Sequence, residues 1–154
     1  MTDLSGSQPT ARELLDRAQR LFLDKDLEAF AELFAADGVH ELPFAPPGVP
    51  VTIRGRDGIR GYFATISTTP IEFEEFTELT VHQSVDPEVV IAEYQAIGTI
   101  TSTGAPYRAR YIQVLHARNG EITLWRDYWN PLSGAQALGR LPQLFQALTG
   151  SHPS

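Results

Sequence analysis

Hydrophobic residues recur every three to four positions over residues 14–22 and again over 27–34, which predicts two amphipathic helices. Thr10 and Glu13 have the spacing of a capping box at the start of the first helix. Asp26 suits the N-cap of the second helix. The chain is therefore expected to open with two helices that each turn one apolar face to a common core.

The period of the pattern then changes. Short strands are predicted over 39–44 and 51–54, on either side of a proline-rich loop, and a third helix over 55–69. After Pro70 apolar and polar residues alternate, which predicts four long strands, over 72–85, 89–101, 107–117 and 121–129.

The last two strands are expected to form a hairpin, and a helix is expected to follow them. Residues 118–120 suit a three-residue loop with Gly120 in the left-handed conformation, which pairs Ala117 with Glu121. A short helix should then start near Ser133, and Pro142 should kink or end it.

This order of elements predicts an α+β fold. Three helices in the N-terminal half should pack on a curved, mostly antiparallel sheet and form a cone-shaped barrel that encloses a pocket. Residues 1–9 lack periodicity and are expected to be a flexible tail, and residues 10–150 to form a single domain.

Composition narrows the chemistry. The 154 residues include no cysteine, which removes disulfides, thiolate nucleophiles and cysteine-bound metals. The formal charge of −7 disfavours nucleic-acid and anionic membrane surfaces. No apolar run is long enough to span a membrane, and the polar start does not resemble a signal peptide, so we expect a cytoplasmic protein. No sequence motif for a metal or a cofactor is present, and we expect neither.

The stretch ITLWRDYWNPL, residues 122–132, carries the most informative cluster. Trp125, Asp127 and Trp129 share one face of the last predicted strand. The predicted hairpin register places Tyr111 opposite Asp127. Burial would raise the pKa of such a carboxyl group and hydrogen bonds from Tyr111 would lower it. The residue types therefore suggest a general acid or base near neutral pH.

A structural interpretation of Asp127 stays open at this point. The carboxylate could accept a structural hydrogen bond or form an ion pair with Arg110 or Arg126, which lie nearby along the same two strands. Residue types alone do not decide between the two interpretations.

The segments VTIRGRDGIRGY (residues 51–62) and WRDYWNPL…ALGRLPQL (residues 125–144) resemble a known family. Over residues 10–150 the chain is similar to the SnoaL-like branch of the nuclear transport factor 2-like superfamily, which includes ketosteroid isomerase and limonene epoxide hydrolase. Its motifs are most similar to those of the phenazine-biosynthesis proteins PhzA and PhzB. The resemblance implies the cone-shaped fold and a homodimer formed through the outer face of the sheet, but not one reaction.

Residue by residue, the resemblance preserves one catalytic position. Asp127 matches a catalytic aspartate of limonene epoxide hydrolase and, as Asp for Glu, the acid of the PhzA-type proteins. The hydrolase's arginine and second aspartate fall on Tyr94 and Ala96, and the isomerase base falls on Leu42. The histidine of PhzA falls on Tyr62.

His40 is the expected counterpart of Asp127. It lies on the first short strand with Leu42 and Phe44, at positions that line the pocket in the relatives. A His and an Asp across an apolar cavity would form an acid–base pair, whereas the alternative is a structural His at the rim, bonded to a backbone carbonyl. The expected catalytic residues are Asp127, His40, Tyr111 and Tyr94, and the expected substrate-binding residues are Trp129, Trp125, Tyr62, Phe44, Leu42 and Gln113.

These residues favour a small cofactor-independent enzyme of specialised metabolism. It would bind a small hydrophobic or aromatic ligand and catalyse isomerisation, cyclisation or condensation by proton transfer. Two alternatives remain: a non-catalytic ligand-binding or dimer-scaffold protein, and an epoxide-opening enzyme with an altered catalytic set.

Overall fold

The computed structural model describes residues 7–150, which form five helices and six strands. The helices are α1 (Ala11–Leu23), α2 (Leu27–Glu32), α3 (Arg56–Ile66), α4 (Pro131–Ala137) and α5 (Leu141–Thr149). The strands are β1 (Phe34–Glu41), β2 (Thr52–Arg54), β3 (Ile71–Gln83), β4 (Val89–Ile100), β5 (Pro106–Arg118) and β6 (Glu121–Trp129).

Both predicted helix caps are confirmed. The Glu13 amide donates to Thr10 Oγ1 at 3.1 Å, and the Thr10 hydroxyl donates to the Glu13 carboxylate at 3.3 Å. At the start of α2, the Ala29 amide donates to Asp26 Oδ1 at 3.1 Å. These side chains satisfy amides that the first turn of a helix leaves without partners.

The first strand starts earlier than predicted. β1 begins at Phe34 instead of residue 39, and its pairing with β6 shifts register between Phe34 and Val39. Gly38 lies in this irregular stretch, where a Cβ atom would come within 3.0 Å of the carbonyl oxygens of Ala35 and Ile122. A glycine is therefore required here by the close approach of β1 to β6.

The six strands form one mixed sheet in the order β2-β1-β6-β5-β4-β3. Neighbouring strands are antiparallel except β1 and β6, which are parallel. The α+β class is confirmed. The sheet does not close into a barrel, because its two edge strands, β2 and β3, do not pair with each other.

The hairpin between β5 and β6 differs from its predicted register. Arg118 pairs with Glu121 across a two-residue Asn119-Gly120 turn, in which both residues have positive φ (53° and 75°). A bulge near Thr123 then shifts the register, so that Gln113, and not Tyr111, lies opposite Asp127. The two-residue displacement keeps Asp127 on the predicted face.

The C-terminal segment forms two helices where the sequence predicted one. Asn130 caps α4 by accepting from the Leu132 amide at 3.0 Å, and Gly139 ends the segment's first helix with φ 67°. Pro142, which was expected to kink or end a helix, lies in the first turn of α5. Proline is favoured there because the first amides of a helix have no intrahelical acceptor.

The core lies between the inner face of the sheet and helices α1–α3. Its large residues with under 2% exposure include Leu15, Phe30, Phe34, Leu115 and Ile122. Their burial supplies the main favourable term of folding. No helix within residues 7–150 is long and apolar enough to cross a membrane.

Most of the predicted flexible tail, residues 1–6, lies outside the described residues. Gln8 and Pro9, at its end, pack against the hairpin turn, within 3.1 Å of where a Cβ atom of Gly120 would lie.

Candidate active site

A cavity of about 420 Å³ lies between the inner face of the sheet and the helices. Its volume is in the usual range of small-molecule sites, and its wall is mainly apolar and aromatic. Nine of the ten residues that the sequence predicted for the site line this cavity: His40, Leu42, Tyr62, Tyr94, Tyr111, Gln113, Trp125, Asp127 and Trp129.

Phe44 is the exception. β1 ends at Glu41, so the alternation that placed Phe44 on the face of His40 and Leu42 stops before it. The Phe44 side chain is 58% exposed and packs against Tyr128, with ring centroids 5.3 Å apart. It lines a groove on the outer face of the sheet and not the cavity.

Asp127 lies on the inner face of β6 in the cavity wall, where the residue is partly exposed but its Oδ1 atom is buried. Burial raises the pKa of Asp127 from 3.8 to about 7. The side-chain amide of Gln113, which lies opposite Asp127 on β5, opposes this rise only in part. Within residues 7–150 no hydrogen-bond partner is found for Asp127 Oδ1. Protonated and ionised forms therefore coexist near neutral pH, as proton transfer in both directions requires.

The two arginines that could have neutralised Asp127 bind other carboxylates. Arg110 donates to Glu78 at 2.7 Å, and Arg126 donates to Glu41 at 2.9 Å. Arg110 and Arg126 alternate with the cavity-lining residues of their strands, so both project to the outer face. The ion-pair interpretation of Asp127 is therefore wrong.

His40 lies on β1, next to Trp125 in the parallel β1–β6 register, and is only 1% exposed. Burial lowers its pKa to about 4, although an interaction with the backbone of Trp125 acts in the opposite direction. Its ring centroid is 5.6 Å from that of Tyr62 and 5.2 Å from that of Phe63. At neutral pH the imidazole is uncharged, so His40 and Asp127 do not form an ion pair there.

The tyrosines of the cavity form an array beside Asp127. The rings of Tyr94 and Tyr111 stack with centroids 5.5 Å apart, and the Tyr111 hydroxyl lies 2.9 Å from that of Tyr107. Burial raises the pKa of each of these hydroxyls, so all three stay protonated at neutral pH. The sequence predicted that Tyr111 would lower the pKa of Asp127, but Gln113 takes that position.

Five buried polar side-chain atoms have no hydrogen-bond partner within the described part of the chain, and all belong to residues that line this cavity. A buried polar atom without a partner costs about 1–3 kcal/mol, so such atoms are rare away from functional sites. Their concentration here shows that the polar groups of this wall are not all satisfied by the protein itself. The atoms are Gln19 Nε2, His40 Nδ1, Gln113 Oε1, Trp125 Nε1 and Asp127 Oδ1.

Sequence analysis missed Gln19 and the contribution of α4 and α5. Gln19 lies four residues after Leu15 and three before Phe22, so it is a polar residue within the apolar stripe of α1. That interruption was the available signal. The C-terminal helices contribute Leu138, Leu144 and neighbouring residues to the cavity wall. The sequence did not indicate this contribution, because Pro142 was expected to kink or end a single helix.

Comparison with known proteins fixes the family. The SnoaL-like domain model matches residues 15–125. The chain belongs to the SnoaL-like family. It is 34% identical to an uncharacterized PhzA/B-like protein of Pseudomonas aeruginosa, over 92% of this chain and 99% of that protein. The expected resemblance to the SnoaL-like branch and to PhzA and PhzB is thus confirmed.

Solved structures agree with this SnoaL-like assignment. The crystal structure of a candidate isomerase from Bacillus subtilis is 40% identical, with a TM-score of 0.79 over 84% of this chain and 93% of that one. A candidate polyketide cyclase from Pseudomonas putida is 18% identical, with a TM-score of 0.70 over 84% of this chain and 98% of that one. The second likeness concerns the fold alone.

No group of three or more histidine, aspartate or glutamate side chains placed to hold a metal ion occurs within residues 7–150. Among the charged residues that line the cavity are Asp127 in its wall and Arg140, which is exposed to solvent. The chemistry that the wall itself offers is proton transfer and hydrogen bonding in an apolar environment.

Proposed function

We propose that this SnoaL-like protein is a cofactor-independent isomerase or cyclase of specialised metabolism, in which Asp127 moves a proton on a cyclic or aromatic intermediate. The observation that carries the proposal is the buried, uncompensated carboxyl group of Asp127, with a pKa of about 7, in an apolar cavity of about 420 Å³. A group with this pKa is present in both protonation states at neutral pH, which suits a general acid and base.

Asp127 would act in two half-steps. Its carboxylate takes a proton from a carbon atom next to a carbonyl group, and the carboxylic acid then returns the proton to another atom of the same molecule. Tyr94 and Tyr111 would orient the substrate through their rings and protonated hydroxyls, and Trp125, Trp129, Tyr62 and Leu42 would enclose its flat body.

His40 would be a neutral partner in this reaction and not a second charged group. With a pKa of about 4 it holds a single ring proton at neutral pH, and its Nδ1 atom has no partner within residues 7–150. Its neutral imidazole would form a hydrogen bond with the substrate while Asp127 changes charge.

The relatives support a reaction of this class. The similar Bacillus subtilis protein is described as a candidate isomerase and the Pseudomonas aeruginosa protein as PhzA/B-like. The fold also serves other functions, so the test must separate catalysis from binding.

Proton transfer can be tested without the natural substrate. We expect the protein to speed deuterium incorporation at C2 of 1-tetralone, a bicyclic aromatic ketone, in D₂O near neutral pH, as followed by mass spectrometry. Asp127→Asn should lower this rate by about 10²–10⁴-fold, the usual contribution of a general base. Glu41→Gln, which removes a carboxylate from the outer face, is the matched control and should keep the rate.

Two other outcomes would replace the proposal. If 1-tetralone binds but exchanges no faster than without protein, or if Asp127→Asn exchanges as fast as the wild type, the cavity is that of a non-catalytic binding protein. If the protein exchanges no ketone proton but opens an epoxide with incorporation of ¹⁸O from labelled water, the epoxide-opening alternative takes its place.

We also infer that two copies of the chain pair through the outer face of the sheet. Ile112 of β5 is 41% exposed there, next to Tyr128 and the exposed ring of Phe44. Sedimentation equilibrium at micromolar concentration should give twice the chain mass, and Ile112→Asp should give a single chain mass. A monomeric wild type contradicts this assembly.

A further inference from the structure

Residues 131–149, which form helices α4 and α5, line the cavity without belonging to the core. No residue of either helix is buried, whereas α1, α2 and α3 each bury residues in the core. Within residues 7–150 the segment supplies no member of the hydrophobic core cluster. Segments with few buried apolar contacts are those that open at the lowest cost in free energy.

The hydrogen bonds of residues 131–149 are equally local. In the described part of the chain each of them stays inside the segment or joins it to Asn130 or Gly150, the residues that flank it. No hydrogen bond therefore fastens the segment to the sheet or to helices α1–α3. It is attached to the body of the protein through the backbone at Asn130 and through the face that it turns to the cavity.

The two helices are joined in a way that makes them one body. Gly139 has φ 67°, and its amide donates to the Gln136 carbonyl oxygen at 3.1 Å. The Arg140 amide donates to the Ala135 carbonyl oxygen at 2.7 Å. These two hydrogen bonds form a Schellman motif, which fixes the path of the chain from α4 into α5. Movement of the segment is therefore expected at Asn130 and not between its helices.

We propose that residues 131–149 form a movable cover, which pivots at Asn130 and controls the entry of ligands to the cavity. Its lining residues recur every three to four positions, so each helix turns one face inward. Opening exposes Leu138 and Leu144 to water, at a small cost because both are already half-exposed. The inference concerns entry alone and holds whether the occupant reacts or only binds.

Amide hydrogen exchange of the ligand-free protein tests whether the cover opens as one unit. The amides of α4 and α5 should share one opening constant, roughly a hundredfold larger than that of the α1 amides, because the core holds α1 and not the cover. Protection equal to that of α1 would overturn the proposal. A gradual increase in exchange toward residue 149, with α4 as protected as α1, would also overturn it, because it would show fraying of the last helix alone.

Two leucines of α5 provide matched variants. Leu144 lines the cavity and is half-buried, whereas Leu148, one turn further along, is 53% exposed and does not line it. Leu144→Ala should raise the opening constant of both α4 and α5 roughly fivefold, because it removes part of the apolar contact that holds the cover closed. Leu148→Ala makes the same change in helix propensity and should leave the opening constant unchanged.

A single thiol inside the cavity tests whether the cover controls entry, since the chain has no cysteine of its own. Gln19→Cys places that thiol in the cavity wall on α1, and no hydrogen bond of Gln19 Nε2 within residues 7–150 is lost. Iodoacetamide should alkylate this variant roughly fivefold faster when Leu144→Ala is added, and no faster with Leu148→Ala, as followed by mass spectrometry.

Exchange of the α1 amides should be the same in all three proteins, which shows that the reagent enters past the cover and not through unfolding of α1. The proposal is overturned if Leu144→Ala speeds amide exchange in α4 but leaves the alkylation rate unchanged, because the reagent then enters without movement of the cover. It is also overturned if Leu144→Ala and Leu148→Ala have equal effects on both rates. None of these measurements depends on turnover, so loss of ketone deuterium exchange would refute the proposed function and leave the cover in place.

Discussion

Neighbouring residues of β6 point to opposite faces of the sheet, and their charges have opposite surroundings. On the outer face Arg126 donates to Glu41 at 2.9 Å, and both side chains are about one third exposed. On the inner face Asp127 lies in the cavity wall with its Oδ1 atom buried, and it forms no ion pair within residues 7–150. The outer carboxylate thus keeps a cation beside it, whereas the inner one has none and is desolvated by the cavity wall, so that its pKa rises to about 7.

The comparison separates charge that stabilises the fold from charge that the proposed reaction would use. Exposed ion pairs contribute about 0–1 kcal/mol each and can be exchanged at little cost. A buried carboxyl group without a partner destabilises the folded state whenever it is ionised. Its presence opposite Gln113, in a cavity lined by aromatic rings, is what the proposed proton transfer would require.

The largest difference between the two faces should appear in stability. The pKa of Asp127 is raised in the folded state, so its contribution to stability is complete below pH 4 and is lost as pH rises through 7. At pH 8, Asp127→Asn should therefore raise the free energy of unfolding in urea by about 2–4 kcal/mol.

Glu41→Gln is the matched change on the outer face, and it should lower the free energy of unfolding by no more than about 1 kcal/mol. Destabilisation of both variants to the same extent at pH 8 would show that Asp127 is compensated in the folded state, contrary to the structure.

His40 should change the free energy of unfolding with pH somewhat less than Asp127 does, and in the opposite direction. Its folded-state pKa is depressed from 6.5 to about 4, so its contribution is complete above pH 6.5 and is lost as pH falls through 4. Between pH 4 and 6.5 the two inner residues therefore change stability in opposite directions. We expect Asp127→Asn to lose roughly 2–3 kcal/mol relative to the wild type as pH falls through this range.

His40→Gln should do the reverse and gain stability relative to the wild type over the same range. Parallel pH profiles for the two variants and the wild type would mean that neither residue is perturbed by burial.

The smallest expected effect concerns the amide that opposes the shift of Asp127. Gln113→Leu removes the interaction that lowers the pKa of Asp127, so the titration midpoint should rise by about one unit. Tyr111→Phe is the matched control, since the Tyr111 hydroxyl lies beside Tyr107 and Tyr111 pairs with Trp129 across the strands. A midpoint that moves with Tyr111→Phe and not with Gln113→Leu would contradict the register of the hairpin.

The sequence was sufficient for features that depend on local chemistry. The helix caps at Thr10 and Asp26 were predicted correctly because a cap depends on residues within one helical turn. The alternation along β6 predicted which face of the sheet Asp127 occupies, because strand periodicity is likewise a local property. The predicted face of Asp127 was correct although the predicted register of the β5–β6 hairpin was wrong, because a displacement of two residues leaves the alternation of faces unchanged.

Features that depend on distant contacts were not predictable in the same way. The parallel pairing of β1 with β6 joins segments that lie far apart in the chain. Pro142 is compatible with either the end or the start of a helix, and only the break at Gly139 shows that it starts α5. Gln19 carried a local signal, but its lack of a partner becomes visible only once the cavity is assembled.

The central claim is that Asp127 is a buried carboxyl group without a compensating charge, and its titration tests this most directly. The ¹³C carboxyl resonance can be assigned by its absence in Asp127→Asn and followed from pH 3 to pH 10 in the ligand-free protein. A midpoint near pH 7 is the predicted result. A midpoint at or below the ordinary value of 3.8 would contradict the account, because it would require a solvated or ion-paired carboxylate.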